Sequence, residues 1–203
     1  MNRYLTYHKK RFFISFLLFL NSFFSIPGQE ARATVATGPQ PLPQIYDLTV
    51  TNSEHNLLAY FSLKHAITPE ISDALKSGIP VKYTYVLELL TPGFLGKKVL
   101  LRKEIVRILS FDNLKGEYGV IIYGPIVTRV VNVKGIAEAR QLAFQVNDVQ
   151  VIPLSKLAKG RQYILRVRAE AEKVRGTLPF EELLELFSSW GFKTRWYEIR
   201  FSY

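Results

Sequence analysis

Two arginines and then two glutamates alternate with apolar residues along one short segment. Of all the patterns in the chain, their spacing comes nearest to that of a catalytic site. Arg166 and Arg168 are followed, at the same two-residue spacing, by Glu170 and Glu172. On a strand these side chains share one face, so the two carboxylates could form the acid pair of a glycoside hydrolase. The spacing also fits a ladder of alternating charges on a wet sheet face, where each pair contributes about 0.2–1 kcal/mol. The ladder is the preferred interpretation, and the acid pair is the alternative.

Other residue types that commonly carry catalysis are scattered. The chain has three histidines and no cysteine. His55 follows polar residues in a predicted turn, and His65 ends a predicted strand, where partial burial is expected. Neither has a second histidine or cysteine at metal-ligand spacing. No glycine-rich phosphate loop or nucleophile elbow occurs. The sequence therefore predicts a protein with no cofactor and no enzymatic activity.

Aromatic and basic residues are concentrated between residues 190 and 203. Core packing is expected to account for most of these rings, but arginine beside tryptophan is also the composition of binding hot spots. The candidate partner-binding residues are Arg166, Arg168, Trp190, Arg195 and Trp196. A second basic cluster consists of Lys97, Lys98, Arg102, Lys103 and Arg107. It suits either anionic lipid headgroups or an edge strand protected against aggregation.

Residues 1–33 have the pattern of an export signal. A cationic start precedes an apolar run, Phe12–Phe24, and the small residues Ala31 and Ala33 flank Arg32 at a peptidase-like site. The run has 13 residues, fewer than the roughly 20 of a membrane-spanning helix. We therefore expect export to the periplasm or another extracytoplasmic place, with a membrane tether if the signal stays uncleaved.

Net charge sets limits on the partners. After the five basic residues and one acidic residue of segment 1–33 are removed, 22 basic and 16 acidic side chains remain, a net charge of +6. This charge serves solubility, and it also favours an acidic protein or an anionic membrane surface. Nucleic acid is not an expected partner of an exported protein.

Hydrophobic periodicity predicts about nine strands and three short helices. Alternation of period two marks strands over 45–50, 57–63, 81–89, 118–122, 127–133, 149–152, 163–172 and 192–203. Segment 97–111 fits either a helical stripe or a strand, and its β-branched residues favour the strand. Helices are predicted near 68–78, 136–146 and 179–187, the first between a Thr68 cap and a Gly78 end.

These elements indicate an α+β fold that is mostly antiparallel β, a sandwich or strongly curved sheet with the helices packed on it. The short turns between successive strands leave little room for parallel crossovers. The expected layout is a signal peptide over 1–33, a Pro- and Gly-rich linker over 34–44 and a single β-rich domain over 45–203.

Several short motifs resemble an uncharacterised family of exported proteobacterial proteins, known only as a domain of unknown function. In order, they are Ala74-Leu75-Lys76-Ser77-Gly78-Ile79-Pro80, Tyr118-Gly119-Val120, Leu157-x-x-Gly160-x-x-Tyr163, Val167-Arg168, Leu178-Pro179-Phe180 and Ser189-Trp190-x-Phe192-x-x-x-Trp196-Tyr197. The resemblance implies export, a mostly β fold and no established activity. Relatives are often encoded beside a membrane-bound sensor kinase, so the resemblance also implies a signalling accessory role. The chain departs from the family pattern near Phe94 and Leu95, where relatives often carry a tryptophan-rich patch, and at Ala171-Glu172-Lys173.

The functional expectation is a non-catalytic binding or accessory module of the cell envelope. Its partner would be an envelope protein, such as a sensor or assembly component, or a hydrophobic or lipid ligand. The alternative is a hydrolase of an envelope polymer that uses Glu170 and Glu172. The sequence does not specify the oligomeric state.

Overall fold

Among residues 40–94, 96–174 and 191–203, which the computed structural model describes, ten strands form two antiparallel sheets. They are β1 (Gln44–Asn52), β2 (Asn56–Lys64), β3 (Val81–Gly93), β4 (Gly96–Asp112), β5 (Glu117–Tyr123), β6 (Thr128–Val133), β7 (Gln145–Pro153), β8 (Gln162–Lys173), β9 (Phe192–Lys193) and β10 (Tyr197–Ser202). The smaller sheet has the order β1-β2-β7. The larger has the order β10-β8-β3-β4-β5-β6, with β9 also paired to β8. Residues 41–203 form one compact unit.

Two α-helices connect strands within the described ranges. Helix α1 (Pro69–Lys76) lies between β2 and β3, and α2 (Ile136–Phe144) lies between β6 and β7; a 3-10 turn, Leu154–Lys156, precedes β8. The Thr68 hydroxyl accepts the Ile71 N–H at 3.3 Å and caps α1. Gly78 takes a φ of 77° just after its end, a left-handed conformation that glycine adopts without steric cost.

The two sheets pack face to face because alternate residues of their strands are apolar. Every second residue of β3 from Val81 to Leu89 is fully buried, and so is the matching set of β8, from Tyr163 to Ala171. Opposite them, the buried residues of β2 are Leu57, Ala59, Phe61 and Leu63. One contiguous hydrophobic core results.

Aromatic rings fill the space between the sheets. Phe61 of the smaller sheet packs on Tyr85 of the larger at 5.4 Å between ring centroids, and Tyr83 meets Phe144 edge-on at 4.9 Å. The Tyr85 hydroxyl donates to the Ala143 carbonyl at 2.7 Å, so its polar atom is satisfied inside the core. Burial raises the pKa of both Tyr83 and Tyr85.

Arg107 of β4 fastens α2 to the larger sheet. Its guanidinium donates to the carbonyls of Leu142 at 2.5 Å and Gln145 at 2.7 Å, at the C-terminal end of the helix. The residue is only 8 % exposed, and burial lowers its pKa. A cation at this position satisfies carbonyls that the helix leaves without partners.

Strand β4 is much longer than its neighbour β5. Only Arg107 to Asp112 of β4 pair with β5, whereas β3 pairs with β4 along its whole length, down to Gly93 beside Gly96. In this sheet Gly96 to Val106 therefore have strand β3 on one side and a free edge on the other. The basic residues of this segment are typical of a protected edge strand.

The predicted mostly antiparallel β fold is confirmed, and segment 97–111 is a strand. Three boundaries were wrong. Strand β3 runs to Gly93, beyond the predicted end at Leu89, Val146 belongs to β7, and segment 192–203 is two strands because Thr194 turns inward between them. The helix predicted over 179–187 and the signal predicted over 1–33 lie outside the described residues. No described helix is long and apolar enough to cross a membrane.

Candidate functional site

A row of charged residues crosses four strands on the outer face of the larger sheet, the face turned away from the smaller sheet. The register places Glu198 of β10 beside Arg166 of β8, Arg166 beside Glu88 of β3, and Glu88 beside Arg102 of β4. The signs alternate, so each residue has an opposite charge next to it. We call these four residues the outer-face row.

Glu88 is the centre of the outer-face row. Its side chain is only 7 % exposed, yet it accepts hydrogen bonds from Arg166 at 2.6 and 2.8 Å and from Arg102 at 3.3 Å. Both oxygens of the carboxylate are therefore used. A buried carboxylate is tolerated only with such pairing, because desolvation of the charge costs several kcal/mol.

Trp196 covers two arginines of β8. The guanidinium carbons of Arg166 and Arg168 lie 4.3 and 4.5 Å from the centroid of its ring, within the range of a cation–π contact. The chain between β9 and β10 is held in place by Thr194, whose hydroxyl accepts the Ala169 N–H at 2.9 Å. The backbone N–H of Thr194 donates to the Ala169 carbonyl at 2.8 Å. These two bonds position the indole over the strand.

Arg168 is less completely paired than Arg166. One terminal nitrogen lies 3.1 Å from Glu170, while its buried Nε has no hydrogen-bond partner among the described residues. Its side chain is 19 % exposed. Because a guanidinium carries five N–H donors, Arg168 retains donor capacity beside the Trp196 ring. We call Arg166, Arg168 and Trp196 the Arg–Trp cluster.

The two glutamates of β8 are neutralised separately. Glu170 lies 2.9 Å from Lys193 and 3.1 Å from Arg168, and Glu172 lies 2.6 Å from Lys82. The hydrogen bond from Lys193 lowers the pKa of Glu170, whereas a general acid working at neutral pH needs a raised one. This arrangement is the charge ladder that the spacing favoured.

The end of the β3–β4 hairpin bends across the outer face. Lys97 pairs with Pro92, four residues beyond Glu88, yet its Nζ lies 2.9 Å from Glu198 on β10. In a flat sheet, β4 and β10 would also be separated sideways by three strand spacings, about 14 Å, in addition to this offset along the strand. A register shift at Leu89/Leu90 marks a bulge, and bulges bend and twist a strand. Leu90 of β3 pairs with Ile164 of β8, between the positions of Lys97 and Glu198. Both side chains are buried.

A comparison with known protein families gives a match over nearly all of residues 41–203. A family model described as "Domain of unknown function (DUF4390)" matches residues 42–200. The chain belongs to the DUF4390 family. No curated protein and no solved structure matches it.

In this DUF4390 domain the structure brings together three of the five predicted binding residues, which form the Arg–Trp cluster. Arg195 is exposed next to Trp196 in the chain, and its side chain makes no ion pair with the described residues. Trp190 lies outside the described residues. The sequence interpretation expected a wet outer face on β8; Trp196 stacks on Arg166 and Arg168 there, so both arginines are half-buried.

The predicted basic cluster divides into residues with different roles. Arg107 is a buried helix-end contact, Arg102 belongs to the outer-face row, Lys97 pairs with Glu198, and Lys103 donates to the Gln150 carbonyl. Lys98 is exposed and has no ion pair within the described part of the chain.

Glu88 was missed by the sequence reasoning. Its only signal is that it is the one charged residue in the apolar run from Val86 to Leu90. The predicted histidines behave differently from each other: His55 is exposed as expected, while His65 is exposed with a φ of 57° instead of being partly buried. Among the described residues no group of three or more His, Asp or Glu side chains is arranged to hold a metal.

Proposed function

We propose that this DUF4390 protein is a non-catalytic binding module of the cell envelope and that the Arg–Trp cluster is the centre of its partner surface. The observation that carries the proposal is the stacking of Trp196 over both Arg166 and Arg168. Tryptophan and arginine dominate the energetics of protein interfaces, and they act most strongly in partly desolvated positions. Here the indole and both guanidinium groups are already held in place.

Pre-positioned side chains favour a protein partner of particular chemistry. The cluster holds its rotamers through ion pairs with Glu88 and Glu170, so little side-chain entropy is lost on association. The exposed cation of Arg195, next to Trp196 in the chain, can donate to carboxylate or carbonyl oxygens of a partner. We infer a partner segment that is acidic and carries an apolar group to cover the indole.

The two other hypotheses receive less support from the described residues. A small hydrophobic ligand would be expected to bind in the space between the sheets. That space is filled by the rings of Tyr83, Tyr85, Phe61 and Phe144. For the hydrolase alternative, the lowered pKa of Glu170 and the separate pairing of Glu172 run opposite to the requirements of an acid pair. We therefore place the binding function first.

The experiment is site-specific photocrosslinking in intact cells. A photoreactive residue at Arg195, which is exposed beside the cluster, should give a discrete crosslinked species. The same residue at Leu114, which is 99 % exposed in the β4–β5 turn, is the matched control. The species from position 195 should disappear in Trp196→Ala and Arg168→Ala, and largely persist in Arg168→Lys.

Two results would count against the proposal. One is crosslinking from position 195 that does not exceed that from position 114. The other is a crosslinked species that survives Trp196→Ala and Arg168→Ala while thermal unfolding shows that both variants are folded.

N-terminal sequencing of the protein recovered from the same cells tests the proposed export signal, because cleavage would leave a new N-terminus near residue 34.

A further inference from the structure

The meander β3-β4-β5-β6 has three hairpin turns, and among its described residues each turn presents one fully exposed apolar side chain. These side chains are Phe94 in the β3–β4 turn (104 % exposed), Leu114 in the β4–β5 turn (99 %) and Ile126 in the β5–β6 turn (93 %). Single exposed apolar residues are common on protein surfaces. The turns therefore have to be distinguished by what surrounds each apolar residue.

The hairpin end around Phe94 is cationic. Between Thr91 and Leu101 the sequence contains Lys97 and Lys98 and no acidic residue, while Arg102 lies further down the strand, opposite Glu88. Lys97 and Arg102 have carboxylate partners elsewhere on the sheet, whereas Lys98 has none among the described residues. Val99 and Leu100, 48 % and 40 % exposed, add apolar surface to the same hairpin end.

The other two turns lack this combination. Leu114 lies between Asp112 and Glu117, and Lys115 is paired with Asp112 at 3.6 Å. Ile126 has exposed Val127 and the partly exposed Tyr123 (46 %) beside it, but only Arg129 as a nearby cation in the sequence. A fully exposed aromatic side chain and a pair of lysines therefore coincide only at the β3–β4 turn, when the described residues of the three turns are compared.

Position also favours the β3–β4 turn. Strand β5 pairs with β4 only from Arg107 onward, so the hairpin extends about ten residues of β4 beyond that pairing. Because the hairpin end bends toward β10, its apex lies away from β5 and β6, and neither strand flanks it.

We propose that the end of the β3–β4 hairpin, residues 92–94 and 96–100, docks on an anionic lipid surface. Phe94 enters the boundary between headgroups and acyl chains, where aromatic side chains are favoured. Lys98 and the neighbouring cations contact lipid phosphates, which the negative potential of the surface reinforces. This inference is independent of the Arg–Trp cluster and does not require the proposed partner.

The test uses residues 41–203, the compact unit that contains the whole described core, because the apolar run Phe12–Phe24 would itself bind lipid. Its binding to vesicles of phosphatidylcholine is compared with binding to vesicles of equal parts phosphatidylcholine and phosphatidylglycerol. We expect binding to the anionic vesicles alone, weakened by added salt. Phe94→Asp should reduce the affinity about tenfold or more, and Lys98→Glu about fivefold to tenfold.

Leu114→Asp and Ile126→Asp are the matched controls, since each places the same charge in another turn of the same meander. Both should bind anionic vesicles like the unchanged protein. The inference is overturned if the unchanged protein ignores anionic vesicles, if it binds neutral ones equally well, or if all the variants weaken together. It is also overturned if Phe94→Asp and Lys98→Glu bind normally.

The absence of cysteine from the sequence allows a direct readout of insertion. An environment-sensitive fluorophore on Phe94→Cys should shift to the blue with anionic vesicles, because the probe leaves water. The same fluorophore on Leu114→Cys should not shift. Equal spectra at the two positions would contradict insertion by the hairpin end, even if the protein bound the vesicles.

Discussion

Strand β3 is buried on both faces between Tyr85 and Thr91, but its two faces are held in different ways. The inner face consists of Tyr85, Leu87 and Leu89 packed on the smaller sheet. The outer face places Glu88 between two apolar residues and secures it with Arg166 and Arg102. Apolar packing tolerates many residue choices of similar volume, whereas a buried carboxylate requires particular partners at particular distances.

This difference between the two faces of β3 is the basis of the proposed recognition surface. A sheet that needed only stability could have used apolar residues on both faces. The outer face instead keeps a charged row and a tryptophan stacked on arginines, at the cost of desolvation. We therefore associate the inner face with folding and the outer face with recognition, and the four predictions below test that assignment.

The largest effect is expected on the inner face. Tyr85→Ala should lower the free energy of unfolding by about 3–5 kcal/mol, because it removes a fully buried ring and leaves a cavity. Tyr85→Phe keeps the ring and loses only the hydrogen bond to Ala143, so about 1 kcal/mol is expected. Urea unfolding measures both. A Tyr85→Ala loss below that of Tyr85→Phe would contradict the packing described.

Removing the centre of the outer-face row should have the next largest effect. Glu88→Ala leaves Arg166 without its carboxylate and Arg102 with Glu104 as its remaining partner, and we expect a loss of about 2 kcal/mol. This is less than the 3–5 kcal/mol of a fully buried pair, because half of the Arg102 side chain is exposed. The double variant Glu88→Met with Arg166→Met should lose less than Glu88→Ala, since it leaves fewer unpaired charges. A double variant that is clearly less stable than Glu88→Ala would contradict this expectation and would show that the ion pair itself stabilises the fold.

Trp196→Ala should separate stability from recognition. The two cation–π contacts predict a loss of about 1–2 kcal/mol, with the domain still folded. Trp196→Phe retains a weaker aromatic face and should lose about half as much. Trp196→Ala should nevertheless abolish partner crosslinking. The substitution would then affect binding more than it affects the free energy of unfolding. Equal and small effects on both would remove the reason to assign recognition to this face.

The smallest effect concerns pH. Because the folded-state pKa of Glu170 is lowered by Lys193, its contribution is fully present above the ordinary glutamate pKa. It is lost as the pH falls through the lower folded value. The side chain is 34 % exposed, so solvent screening limits the contribution to less than about 1 kcal/mol. Glu170→Gln should narrow the stability difference between neutral and acidic pH by that amount, measured by urea unfolding at each pH. An unchanged difference would mean that the Lys193 contact has no energetic weight.

Much of the fold was predictable because the relevant patterns are local. The alternation in 81–89 and 163–171 identified both buried faces correctly, and the Thr68 cap with the Gly78 end located α1. Segment 97–111 was ambiguous because its apolar residues fit both periods, and its long pairing with β3 decided for the strand. The division of segment 192–203 into two strands was missed because two hydrogen bonds to Ala169 hold Thr194 in a buried position. The sequence around Thr194 gives no sign of these long-range bonds.

The site was less predictable than the fold. Arg166, Arg168 and Trp196 were identified by residue type, and the structure brought them together. Their grouping depends on the chain between β9 and β10 crossing β8 at a particular place. Glu88 was hidden in an apolar run, where a single acidic residue looks like an ordinary outward-facing position. The bend of the β3–β4 hairpin was likewise not visible, because a bulge depends on how two strands pair.

The sequence by itself determined where the strands lie and which side of each one is apolar, since both follow from a two-residue period within a single segment. Tertiary structure alone decided that Glu88 meets Arg166, 78 residues further along the chain, and that Lys97 reaches Glu198. The physical reason is that strand hydrogen bonds join distant segments, so that order and register depend on which pairings bury the most surface together. A segment's own pattern carries no information about the strand that will lie beside it.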